Sequence, residues 1–115
     1  MDKTIHEMRL QPEPFEAIKV GKKIIESRLC DEKRRLIKIG DIVEFKKNPD
    51  LVDSVKAEVV ALLNYPTFDS MFSDFSTEWL GLLTKQELLT QIEQFYPAEK
   101  QQKYGVLGIK IKLLQ

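Results

Sequence analysis

The stretch GKKIIESR, residues 21–28, places two isoleucines among Lys22, Lys23, Glu26 and Arg28. The β-branched pair favours a strand, here predicted over 22–30. Successive strand side chains point to opposite faces. Ile24, Glu26 and Arg28 therefore share one face, and Ile25 and Leu29 take the other. A carboxylate and a guanidinium cannot be buried unpaired without a large cost. This strand cannot be covered by apolar layers on both faces, which excludes a sandwiched parallel sheet. Its charged face has to line a polar pocket or meet water.

The neighbouring segments fit a small mixed fold. IHEMRL (5–10) alternates like a strand. QPEPFEAIKVG (11–21) reads as a helix, with Pro12 and Pro14 in its first turn and Gly21 at its end. DEKRRLIKIGD (31–41) is a polar connection closing on a Gly-Asp turn. DIVEFKK (41–47) sets Ile42, Glu44 and Lys46 against Val43, Phe45 and Lys47. NPD (48–50) is a turn, and SVKAEVVALLNY (54–65) a long strand.

The second half turns helical. Thr67 caps a helix over 67–75 in which Phe68, Met71, Phe72 and Phe75 recur at helical spacing. Thr84 and Glu87 form a capping box for a helix over 84–96, with Leu88, Ile92 and Phe95 on one face. Residues 97–105 add a turn or two. GVLGIKIKLL (105–114) alternates as the last strand. About five strands with inserted helices, several too polar on one face for double burial, give an α+β fold built on a small, partly closed barrel.

The 115 residues make one domain, 1–115, able to bury a core without disulfides. Cys30 is the only cysteine, so the chain fits a reducing cytosol. With His6 the only histidine, a protein-only zinc site is not supported, and no phosphate-binding glycine loop is present. Neither a cofactor nor a metal is expected, and no apolar run is long enough to span a membrane. The net charge is zero, against a sequence-independent grip on long nucleic acid. Residues 1–48 hold 12 basic and 9 acidic side chains, so anion attraction lies in that half.

Gly21, Lys23, Glu26 and Arg28 complete the pattern G-x-K-x-x-E-x-R. With PEPFEAIKVG before it, KIGDIVEF after it and YGVLGIKI near the end, the whole chain resembles the ASCH domain family. The resemblance implies a PUA-like barrel of five or six strands with helices outside. It implies RNA or a modified nucleoside as ligand, bound in a cleft beside the motif strand. Some members resemble acetylcytidine amidohydrolases, where the motif lysine acts with a threonine at the position of Glu26 and with a further glutamate. This chain departs from that pattern by carrying Glu26 itself.

The ligand-binding candidates are Gly21, Lys23, Glu26 and Arg28. Arg34 and Arg35 form a basic rim, and Tyr65 and Tyr104 are stacking residues near strand ends. In a hydrolase acting on a nucleoside or RNA, Lys23 and Glu26 are the catalytic pair and Arg28 stabilises negative charge. In a protein-interaction module, the acidic C-terminal half is the working surface. Strand parity puts Lys23 opposite Glu26, so a bulge or a twist at the strand start is required to bring both into one pocket. The same parity turns Ser27 away from Glu26. Trp79, Phe68, Phe72 and Phe75 are assigned to packing, and His6 to a half-buried structural position.

Overall fold

The computed structural model describes residues 3–81 and 83–114. Five strands form one sheet: β1 (Ile5–Leu10), β2 (Ile25–Leu29), β3 (Ile42–Lys47), β4 (Ser54–Tyr65) and β5 (Val106–Leu113). Helix α1 (Pro12–Lys19) follows β1. Helices α2 (Phe68–Asp74), α3 (Thr77–Leu80), α4 (Lys85–Phe95) and α5 (Ala98–Tyr104) all lie between β4 and β5. The strand order is β1-β3-β4-β5-β2, with β1 parallel to β3 and the other neighbours antiparallel. The fold is α+β, a half-barrel sheet with helices around it.

Curvature is built into β4. Its first residues pair with β3, its remainder with β5, and the register slips between Val59 and Ala61. Such a slip bends the bulged strand and tightens its twist. β1 and β2 are opposite edges of the sheet, yet Arg28 Nη2 on β2 donates to the Arg9 carbonyl on β1 at 3.0 Å. The sheet therefore curls until its two edges are one side chain apart.

Two apolar clusters divide the molecule. The barrel side is filled from β1, α1, β3, β4 and β5, with Phe15, Val43, Phe45 and Val59 fully buried. The helical side packs Phe68, Met71, Phe72, Leu80 and Leu88 against Ile25, Leu29 and Val106. Phe68 and Phe72 are core as expected, while Phe75 is only half-buried. The α4 capping box is present, with the Thr84 hydroxyl and the Glu87 side chain bonded reciprocally to backbone N–H groups.

Three local expectations are corrected. The strand expected over 22–30 covers only Ile25–Leu29. Gly21, at φ +81°, lets the chain turn off α1 while the Lys22 and Lys23 N–H groups still bond to the Ala17 carbonyl. Residues before 25 thus belong to the helix exit, and Ile24 packs with Ile25 on the helical side rather than sharing the face of Glu26. A further single turn, α3, lies between the two helices read from the sequence. Trp79 within it is 41% exposed and so packs only in part, with the Lys110 ammonium 5.3 Å from its ring centre.

Candidate functional site

A cleft of about 570 Å³ opens along the seam between the sheet edges. Its walls are the end of β1 and the start of α1, then β2, then one face of α4. This volume lies within the range of small-molecule sites. At its floor stand Lys23, Glu26 and Arg28.

β2 builds this floor by alternation. Ile25 and Leu29 enter the helical cluster, so Glu26 and Arg28 point the other way, opposite Ile109 and Leu107 of the barrel cluster. Glu26 is 3% exposed. Lys23 Nζ donates to its Oε1 at 2.7 Å and Arg28 Nε donates to its Oε2 at 2.8 Å. Lys23 reaches Glu26 because it precedes the strand and is not bound by strand parity. The required irregularity at the strand start is the helix exit at Gly21. The Lys23 stem runs past Gly81, at φ +149°, where an added Cβ would lie 4.0 Å from Lys23 Cδ.

Burial alone would raise the Glu26 pKa. The charges of Lys23 and Arg28 and their hydrogen bonds outweigh it and hold the carboxyl at about 2. Burial likewise opposes the Arg28 cation, but Glu26 and then Tyr96 beside it raise its pKa above the usual value. Glu26 is therefore a carboxylate at any physiological pH, with both oxygens engaged. It holds two cations in place.

The α4 wall supplies an apolar slope. Leu88 is buried, Ile92 half-buried and Phe95 61% exposed. The apolar stripe of α4 thus walks out of the core and over the cleft, where Phe95 and Tyr96 stand with ring centres 6.4 Å apart. Neither aromatic was singled out as a cleft residue by sequence reasoning. The available signal was an apolar stripe that runs into Pro97, beyond the core it covers.

The remaining candidates lie elsewhere. Gly21 forms the α1 exit and does not line the cleft. Arg34 pairs loosely with Asp31 at 3.7 Å, and Arg35 Nε donates to the Cys30 carbonyl; neither borders the cleft. Tyr65 gives its hydroxyl to Asp74 and sets its ring edge-on to Phe75. Tyr104 packs at the helical cluster with Lys103 over its ring. Ser27 lies between Glu26 and Arg28 on the strand and also borders the cleft. His6 is half-buried and bonded to Asp41 at 2.9 Å. Among the described residues no cluster of metal-ligating side chains occurs, and no helix is long and apolar enough to cross a membrane.

A family model described as the ASCH domain matches residues 8–115. The crystal structure of the hypothetical protein PH0355 is similar at 39% identity and a TM-score of 0.84, covering 96% of this chain and 100% of that one. The solution structure of protein PF0455 from Pyrococcus furiosus is similar at 38% identity and a TM-score of 0.77, covering 97% and 99%. The crystal structure of ASCH from Zymomonas mobilis shares the fold at 17% identity and a TM-score of 0.68, covering 96% and 68%. No curated protein matches the chain.

Proposed function

This chain belongs to the ASCH domain family, and on that premise we propose that its seam cleft binds RNA or a modified nucleoside. The observation that carries the reading is the buried ion triad at the cleft floor. Two cations are held in place by one buried carboxylate, beneath a wall ending in an exposed phenylalanine. A floor of fixed donors suits the acceptor atoms of a nucleotide, and an exposed aromatic suits the face of a base. The zero net charge favours a small ligand or a short single-stranded segment over a long duplex.

In this reading Glu26 is a positioning residue. A hydrolase using it as general acid or base would need a proton to come and go at a group whose pKa is about 2 and whose oxygens are both occupied. Binding therefore ranks above catalysis.

The test is a thermal-shift panel of nucleosides, modified nucleosides and short RNAs on the wild type and on Phe95→Ala. A ligand that binds only the native state raises its melting temperature. The expected result is at least one such ligand, with its shift much reduced in the variant. Equal shifts in both proteins would place binding outside the cleft, and no shift at all would remove the nucleic-acid reading.

A further inference from the structure

The triad leaves an unequal set of hydrogen-bonding groups facing the cleft. A lysine has three donor protons and an arginine five. Among the described residues Lys23 spends one, on Glu26. Arg28 spends two, on Glu26 and on the Arg9 carbonyl. The only acceptor within the triad, Glu26, is already engaged at both oxygens, and the Tyr96 side chain stands beside Arg28. The triad itself therefore offers donors and no free acceptor. It also carries one uncompensated positive charge, from two cations and one carboxylate.

We infer that the cleft contains a seat for a terminal phosphate, formed by Lys23 Nζ and the free edge of the Arg28 guanidinium, with the attached base lying toward Ile92 and Phe95. This deepens the nucleoside reading and rests on it. A phosphate brings only acceptors and negative charge, which complements this floor. A bare nucleoside leaves the donors to water and the charge unmatched.

Depth selects the kind of phosphate. The Lys23 and Arg28 side chains are 9% and 13% exposed. A phosphate at a chain end can enter so recessed a floor, whereas an internal phosphodiester is flanked by sugars on both sides. Glu13 on the cleft wall also disfavours a continuous polyanion passing over it. The fitting ligands are a nucleoside monophosphate or the phosphorylated end of a short strand.

The experiment is calorimetric titration of the four nucleosides, their 5′-monophosphates, inorganic phosphate, and one dinucleotide with and without a 5′-phosphate. At least one monophosphate is expected to bind about tenfold or more tightly than its nucleoside. The dinucleotide gains a similar factor only when it carries the terminal phosphate. Lys23→Gln collapses the monophosphate-to-nucleoside ratio toward one, while Phe95→Ala weakens both ligands and preserves the ratio. Arg28→Lys, which keeps the charge but loses the fork, lowers the ratio and serves as second probe if Lys23→Gln proves unfolded by circular dichroism. Equal binding of nucleosides and monophosphates overturns the phosphate seat and leaves the nucleoside reading standing. Binding of none of these ligands overturns both.

Discussion

The two edges of the sheet carry the same kinds of charge to opposite effect. On β1, Glu7 pairs with Lys46 of β3 at 2.6 Å, with side chains 46% and 31% exposed. On β2, Glu26 is buried and gripped by Lys23 and Arg28. The exposed pair is solvated with or without its partner, so its contribution is small. The buried triad has little water to fall back on, above all at Glu26, so each member depends on the others. Charges turned toward solvent are tolerated singly, whereas charges turned into the seam cleft are held together as a buried cluster at its floor. Curvature makes that difference, because β1 and β2 would be far apart in a flat sheet.

The largest expected effect is on the buried side. Glu26→Gln leaves two cations facing a neutral amide and should lower stability by about 3–5 kcal/mol, read from urea unfolding. A loss below 1 kcal/mol would mean that water already reaches the triad.

Acid titration probes the same group without substitution. The folded-state Glu26 pKa, about 2, lies below its ordinary 4.5, so the folded protein binds this proton more weakly than the unfolded chain. The resulting stability is complete above pH 4.5 and lost as pH falls toward 2. The size is about 3 kcal/mol for this depression. Comparing wild type and Glu26→Gln across that window isolates this share, and parallel pH curves would contradict it.

Arg28→Lys sharpens the comparison at the seam itself. A lysine keeps the charge but cannot bond both Glu26 and the Arg9 carbonyl, so about 1–2 kcal/mol should be lost. Amide exchange near Arg9 should also quicken. The smallest effect belongs to β1: Glu7→Gln should change stability by no more than about 0.5 kcal/mol. A larger loss there would erase the contrast between the edges.

Much of this arrangement is readable along the chain because it is local. Alternation marks Val43 and Phe45 as core, and Thr84 with Glu87 announces α4. Glu26 and Arg28 are two apart on a strand, so their shared face follows from pleat alone. The position of Lys23 does not, because its reach depends on where the helix exit ends and the strand begins, and that boundary is set by the Gly21 turn. The Arg28 contact with Arg9 is also hidden, since it depends on the curl of a five-stranded sheet. Tyr65 and Tyr104 look like cleft aromatics from their places at strand ends. Asp74 and Lys103 instead engage them on other faces, whereas Phe95 reaches the cleft only because α4 outruns the core it covers. Arg34 and Arg35 stand out as charge in the sequence, but the connection that carries them folds away from the seam.

The most direct test of the central claim is backbone-amide chemical-shift mapping of the ¹⁵N-labelled protein during titration with the nucleosides, monophosphates and short RNAs. The account predicts that perturbations gather on residues 9–14, 23–28 and 88–96, the three walls of the seam. Perturbations centred on the basic connection 33–38, with the seam unchanged, would contradict it.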